Sequence, residues 1–438
     1  MDTAAFVRTE MVDPKEAPSS AVGPMKWLRD NLFSSPVNAI LTLVSILIAY
    51  YALSGLIPWI FLGVWNASSL DECREIFAAR YGDGVEYACW AVIADRWDQV
   101  IFGFYSADQY WRPILGWILI GVAAVPVLVP NAPRWLFYVT VATLFIYPFL
   151  IWGGTIWPYV MAALGFVVGY VAYRVLDRVS AGSAFSTVIA VTGSVLAAAV
   201  WWIVLSGPIA STLAEALPIG IEAFKSRDLA GFALAITIGV VAIVASLPLA
   251  IALALGRQSD MFIVNKLSTG FIETIRGVPL ITLIFVAVVL LNYFLPSGTD
   301  VDPILAIMIL VTLFTAAYIA EVIRAGLAAV PKGQYEAADS LGLNYGMAQR
   351  LIILPQALKI AIPGIVSNFI SVFKDTVLVS IVFPNDPLGI ADTIRADSNW
   401  NGIVWELYGF IAFVFFVFCF AMSRYSMYLE RRLQTGHK

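Results

Sequence analysis

The sequence predicts an all-α protein that crosses a membrane many times. Hydrophobic residues occupy 60% of its 438 positions, charged residues only 13%, and the mean hydropathy is +0.84. Soluble domains carry about 25% charged residues, so this composition is typical of a polytopic membrane protein. Apolar runs long enough to cross a bilayer recur along the chain, and from them we expect about ten transmembrane helices of roughly 20 residues each.

The apolar runs predict where these helices lie. In the first half they are 37–62, 113–130, 135–152, 155–173 and 183–205. In the second half they are 232–255, 277–295, 303–323, 361–382 and 404–423. The halves meet near residue 206, and the recognisable motifs lie in the second. Because the first run is far longer than the core of a signal peptide, we expect an uncleaved first span.

Basic residues predict the orientation, since short cytoplasmic loops carry an excess of Lys and Arg. With both termini in the cytoplasm, the inner loops hold Arg134, Arg174, Arg178, Arg257, Lys266, Arg276, Lys332 and Arg350. The outer turn 296–302 has no basic residue, and the outer loop 382–404 has only Arg395 against three aspartates. An even number of spans agrees with this orientation.

The remaining polar composition excludes some functions. The net charge of −4 is too small to indicate nucleic-acid binding. The single histidine, His437, argues against a His-based metal site or catalytic centre. Cys73 and Cys89 share one hydrophilic loop, where they form either a disulfide, if the loop faces an oxidising compartment, or two free thiols. Cys419 lies in an apolar run, where we expect packing only.

A polar segment at 336–355, EAADSLGLNYGMAQRLIILP, interrupts the apolar second half. Its pattern consists of Glu336, Ala337, Ala338, Gly342, Ile352, Leu354 and Pro355. The first three residues favour a helix, and the two small alanines allow another surface to approach closely. Gly342 can adopt the left-handed conformation that ends such a helix, and Pro355 suits the first turn of the next one. An ordinary amphipathic connector between spans is the alternative interpretation.

This spacing resembles the EAA loop of the membrane subunits of bacterial ABC importers, where a cytoplasmic helix docks onto a separate ATPase. Four stretches resemble the permeases for polar amino acids such as histidine, glutamate, glutamine, arginine and opines. They are FIETIRGVPLI (271–281), AYIAEVIRAGLAAVPKGQYEAADSLG (317–342), LPQALKIAIPGIVSNF (354–369) and FKDTVLVSIV (373–382). The resemblance covers about half the chain, and the whole is similar to the long membrane subunit of general L-amino-acid importers of Gram-negative bacteria.

The resemblance implies a five-helix ABC-importer permease core. With the span pattern, it divides the chain into a cytoplasmic tail (1–36), an additional transmembrane region (37–205) with a periplasmic loop (66–112), a periplasmic connector (206–231), the core (232–423) and a cytoplasmic tail (424–438). The implied partners are a second permease subunit in a heterodimer, an ABC ATPase dimer and a periplasmic amino-acid-binding protein. The implied cargo is an L-amino acid, carried across the lipid of the bacterial inner membrane.

No G-x-x-x-x-G-K-[ST] phosphate loop occurs in the sequence, so it predicts no nucleotide site of its own. We therefore expect a pore-forming subunit and not an enzyme, with no catalytic residue and no cofactor. ATP and Mg would then be held by the partner ATPase. The loop 66–112 either caps the helix bundle or helps to receive the binding protein.

Ionisable residues within predicted spans are functional candidates, because burying a charge in a membrane is costly. Lys374 and Asp375 lie near the middle of the predicted span 361–382. Their cation and anion match the carboxylate and ammonium groups of an amino acid, so they are candidates for the substrate path. Pairing between helices or subunits is the alternative.

Two further pairs, Glu273 with Arg276 and Glu321 with Arg324, have the i,i+3 spacing of same-helix ion pairs near the cytoplasmic ends of spans. We expect structural pairs there, with an inner gate as the alternative. For the whole chain, the predicted function is that of an importer permease for polar or general L-amino acids. The alternative is an ion-coupled secondary amino-acid transporter without an ATPase, which would need more mid-membrane carboxylates and paired broken helices.

Overall fold

The computed structural model describes residues 23–129, 132–181, 186–294 and 301–434, and these residues are predominantly helical. Two short strands, β1 (Gly154–Thr155) and β2 (Gly220–Ile221), pair antiparallel. The predicted all-α class is therefore confirmed. His437, most of the predicted tail 1–36 and most of the predicted turn 296–302 lie outside the described residues.

The described residues of the first half form nine α-helices. They are α1 (Pro24–Asn31), α2 (Pro36–Phe61), α3 (Leu70–Tyr81), α4 (Ala91–Phe102), α5 (Trp111–Leu128), α6 (Leu136–Trp152), α7 (Trp157–Val179), α8 (Ser186–Val200) and α9 (Ser206–Ala216). A π-helical turn, Trp201–Leu205, joins α8 to α9.

The second half contains the remaining spans and the polar segment. Its helices are α10 (Gly231–Arg257), α11 (Phe262–Gly277), α12 (Leu280–Phe285), α13 (Leu291–Phe294), α14 (Pro303–Ala329), α15 (Lys332–Ser340), α16 (Tyr345–Ala348), α17 (Leu354–Asp375), α18 (Pro387–Arg395) and α19 (Trp405–Gln434). π-helical turns connect α12 to α13 and α16 to α17, and a 3-10 helix follows α17.

Every predicted span contains a helix, but the helices differ in length. Among the described residues, seven helices are long and apolar enough to cross a membrane, or eight if the pair formed by α11 and α12 with its π turn is one bent span. The bend of 102° falls before Pro279, where a proline disfavours helical conformation of the preceding residue. Helices α5 and α6, with 18 and 17 residues, are shorter. The count of about ten is therefore approximate.

The helix predicted to end at residue 205 continues without a break to Ala216. The first part of the predicted connector 206–231 is thus helical. The described residues form two compact units, one up to Ala91 and one from Val92 onward. Helices α5 and α6 pack against α10 within the second unit, as in the hydrogen bond between the hydroxyls of Tyr147 and Thr237 at 2.7 Å.

The first unit consists of α1, α2, α3 and the segment that follows them. Cys73 and Cys89 are joined by a disulfide within it, and Val64 forms an isolated backbone bridge with Cys89. Helix α2 has no buried residue, although it is fully apolar in character.

The second unit is organised around α10 and α14. Close packing depends on small residues, because lipid tails give apolar side chains no reason to prefer protein over membrane. Gly326 of α14 approaches the backbone carbonyl of Ala357 on α17, where an added Cβ would lie 2.5 Å from its oxygen. Gly364 of α17 lies against Val322 in the same way. These contacts bring together the elements that flank the polar segment.

Candidate functional site

The polar segment folds into a helix, a glycine turn and a second short helix. Gly342 has a φ of +68°, the left-handed conformation that favours glycine. Two backbone bonds close the end of α15, from Gly342 N–H to the Asp339 carbonyl (2.9 Å) and from Leu343 N–H to the Ala338 carbonyl (3.2 Å). This is the Schellman arrangement of a helix C-terminus. The side chain of Asn344 then caps α16 by accepting from Met347 N–H at 2.9 Å.

One face of this segment is anchored in the protein. Ala338 and Ile353 are fully buried, and Ile353 belongs to an apolar cluster built from α10, α11, α14 and α17. Ile352 packs against the same cluster, while Pro355 occupies the first turn of α17. The segment is therefore attached to the cluster between the spans through Ile352 and Ile353.

Several other residues of this segment are exposed. Glu336 and Ala337 are exposed, and so are three large apolar side chains, Leu341 (73%), Tyr345 (64%) and Leu351 (62%). We call these five residues the coupling patch. The motif contains only the first two, and sequence reasoning missed the other three. Large apolar residues in an otherwise polar loop were the available signal.

The four residues of the two predicted ion pairs belong to one charge network across three helices. Arg257, at the end of α10, binds Glu321 at 2.6 Å and Glu273 at 2.8 Å. Glu321 also contacts Arg324 at 3.1 Å and Arg276 at 3.7 Å. The predicted partnership of Glu273 with Arg276 on one helix was wrong, since Glu273 pairs with Arg257 on another helix.

Sequence reasoning assigned Arg257 only to the inner basic loops. No local spacing connects it to Glu321, which is 64 residues away. With an exposed fraction of 16%, Glu321 is the less exposed of the two carboxylates. It lies at the centre of the network because it contacts three arginines. The network therefore ties the ends of α10 and α11 to α14.

Lys374 and Asp375 lie in the last turn of α17, within the candidate span that continues through the 3-10 helix to Ile381. Lys374 is exposed and Asp375 is half-buried. Within the described ranges, neither side chain forms an ion pair or hydrogen bond with another side chain.

The long apolar helices, with a polar helix–turn–helix between two of them, define an integral membrane protein. The profile of the family described as binding-protein-dependent transport system inner membrane component matches residues 246–435. Two relatives that align over nearly the whole chain show that it belongs to the inner membrane permeases of amino-acid ABC transporters.

The glutamate/glutamine/aspartate/asparagine transport system permease BztC of Rhodobacter capsulatus is 52% identical over 448 aligned positions, which cover 100% of both chains. The inner membrane amino-acid ABC transporter permease YhdY of Escherichia coli is 36% identical, over 97% of this chain and 96% of its own. The probable glutamine ABC transporter permease GlnM of Bacillus subtilis is 35% identical, over 47% of this chain and 93% of its own. The protein is thus a multi-pass inner membrane component of an amino-acid importer.

Proposed function

We propose that this chain forms part of the membrane pathway of a binding-protein-dependent importer and is driven by a separate ATPase that docks on the segment 336–355. Both termini would lie in the cytoplasm, so that the coupling patch faces the ATPase. The observation that carries the proposal is the combination of an exposed apolar patch with a buried anchor in one short helix–turn–helix. Exposed apolar surface of this kind marks a protein contact.

The physical route for coupling runs from α15 into the bundle. Ala338 is buried on the same helix that carries the exposed Glu336 and Ala337. A partner bound to the exposed residues would therefore move the helix against the spans that bury Ala338. Nucleotide binding to the ATPase would bias the equilibrium between inward-facing and outward-facing arrangements through this contact. The chain itself would perform no chemistry.

The proposed substrates are polar L-amino acids with an acidic or amide side chain. Support comes from the full-length relative, whose name specifies glutamate, glutamine, aspartate and asparagine. A wider range of L-amino acids is the broader form of the same proposal. Lys374 and Asp375 are the charged residues of this chain that we assign to the substrate path, because they have no side-chain partner in the described residues.

The complete importer would contain this chain, a second permease subunit, an ATPase dimer holding ATP and Mg, and a periplasmic binding protein. The disulfide between Cys73 and Cys89 agrees with an oxidising compartment on the side of residues 66–91. That side is the outer face in the proposed orientation.

The test is a comparison of two substitutions at Gly342 in the reconstituted importer. An added side chain meets nothing within 4 Å there, so the only expected penalty is that of the left-handed backbone. Gly342→Val should cost about 1–2 kcal/mol locally and distort α15, whereas Gly342→Asn tolerates this conformation. We expect Val to abolish amino-acid uptake and ATPase co-purification, and Asn to preserve both. Uptake at the wild-type rate in the Val variant would refute docking at this segment.

A further inference from the structure

Helix α1 is amphipathic, and the structure leaves both of its sides uncovered. Successive residues of a helix are turned by about 100°, which groups Met25, Trp27 and Leu28 on one side, with Lys26 and Arg29 on the other. The three apolar side chains are 74%, 59% and 40% exposed, and α1 has no buried residue. A contiguous apolar surface of this kind indicates a contact with a membrane or with another molecule.

The connection between α1 and α2 restricts what that contact is. Helix α1 ends at Asn31 and α2 begins at Pro36, and the Thr42 hydroxyl of α2 donates to the Leu32 carbonyl at 2.8 Å. The 26 residues of α2, a candidate membrane span, are about 39 Å long, which matches a bilayer with its headgroups. Thr42 lies about 9 Å from the start of that length. The end of α1 is therefore at the level where headgroups meet acyl chains.

Helix α2 needs an anchor at this end. It has no buried residue, and a span without packing partners takes its depth and tilt from anchors at its ends. At its C-terminal end the protein supplies them. The Trp90 indole N–H donates to the Ile60 carbonyl at 2.8 Å, and the N–H of Ala88 donates to the Trp59 carbonyl at 3.1 Å. At its N-terminal end, α1 occupies the corresponding place.

We propose that α1 is an interfacial anchor, which lies in the headgroup region of an anionic phospholipid leaflet. Its apolar side rests on the acyl chains, and Lys26 and Arg29 on the other side attract the lipid phosphates. The exposed Asp30 is a single anion against these two cations, so the charged side is positive overall.

This inference goes beyond the proposed function. Only the identity of the leaflet, which is the cytoplasmic one, depends on the orientation proposed above. Helix α1 precedes residues 246–435, the region matched by the family profile, so membership of the family does not imply the anchor.

The test measures the membrane depth of spin labels on the full chain in lipid nanodiscs. Because the other two cysteines form a disulfide, Cys419→Ser removes the free thiol and allows single cysteines to be labelled. Leu28→Cys labels the apolar side of α1. Asp30→Cys, about 160° away around the helix, labels the charged side as the matched control. Val44→Cys in α2 provides the reference inside the membrane.

The ratio of collisions with oxygen to collisions with a water-soluble nickel chelate reports depth, since oxygen concentrates in lipid. In nanodiscs that contain phosphatidylglycerol, we expect the ratio at residue 28 to approach that at residue 44 and to exceed that at residue 30 about threefold or more. Lys26→Glu/Arg29→Glu should lower the ratio at residue 28 in these nanodiscs. The exchange Lys26→Arg/Arg29→Lys keeps both charges and should leave it unchanged.

Equal ratios at residues 28 and 30 would overturn the inference, because α1 would then lie in water. So would a label at residue 28 that is shielded from oxygen and chelate alike, since a protein surface would then cover it. An unchanged ratio in the charge-reversed variant would overturn the assignment to anionic headgroups. None of these measurements needs the ATPase or transport, so their failure would leave the proposed function standing.

Discussion

The core helix α14 and the peripheral helix formed by α8 and α9 are equally hydrophobic, but they occupy different environments. The structure buries 61% of the apolar window of α14 and only 11% of that of the α8–α9 helix. Helix α2 is just as apolar and is not buried at all. In a membrane, hydrophobicity measures only whether a helix spans, since lipid and protein interior are equally apolar. Burial follows from shape instead.

Small residues accompany close packing in both regions. Helix α14 buries Ala316, Ala317, Ala320 and Gly326, which let neighbouring backbones approach. In the pair of α7 and α8, Gly169 likewise lies against Ala198. The regions differ in how much of each helix is covered, since most of the α8–α9 window stays exposed.

The largest expected loss of stability comes from placing a bulky residue at a small, closely packed core position. Gly326→Leu would force α14 away from the α17 backbone, and we expect a cost of about 3 kcal/mol or more. At Gly121 of α5 an added Cβ meets nothing within 4 Å, so we expect Gly121→Leu not to destabilise the protein. The thermal midpoint and the monodisperse yield in detergent check both values. Equal losses would show that the two regions are packed alike.

The charge network sharpens the comparison within the core. Arg257→Gln removes the closest partner of the poorly exposed Glu321 and should cost about 1–3 kcal/mol. The matched variant Glu273→Gln alters a carboxylate that is 57% exposed, so we expect at most about 1 kcal/mol.

Thermal unfolding and the unstimulated ATPase rate of the importer should be measured together for these two variants. A lower midpoint with an unchanged rate indicates a structural network. A raised rate in the Arg257→Gln variant indicates an inner gate. The same midpoint in both variants would contradict the central position of Glu321.

The smallest expected effect is the pH dependence of stability that comes from Asp386, the residue before α18. Burial raises the pKa of Asp386 from 3.8 to about 6, against the opposing bonds from Gly389 and Leu388 N–H. The folded state therefore binds a proton more readily than the unfolded state, and stability is lost as the pH rises through about 6. Between pH 5 and 7 the loss should be ~1 kcal/mol in the wild type and nearly absent in Asp386→Asn.

The thermal midpoint at pH 5 and pH 7 measures this difference for both proteins. A wild-type midpoint that is higher at pH 7 than at pH 5, by more than in the Asn variant, would contradict the assigned sign. The comparison with the variant is needed because other carboxylates titrate in the same range.

Much of the fold could be predicted because its causes are local. A run of about 20 apolar residues spans a bilayer wherever it lies, and each predicted run contains a helix. The turn at Gly342 was also predictable, since a φ of +68° is the conformation for which glycine is favoured. The apolar Leu341, Tyr345 and Leu351 stand out in a polar segment, but whether they are exposed could not be predicted, because the same residues would equally suit a buried face.

Sequence alone determined that this protein is a helical membrane permease with a polar segment between two spans, since composition, run length and motif spacing are properties of neighbouring residues. Only the tertiary structure decided which spans are buried, that Arg257 and not Arg276 binds Glu273, and that Asp95 of α4 binds Trp400 in the loop before α19. Asp95 and Trp400 are 305 residues apart, and no periodicity relates them. Such pairs exist only once packing has brought their helices together.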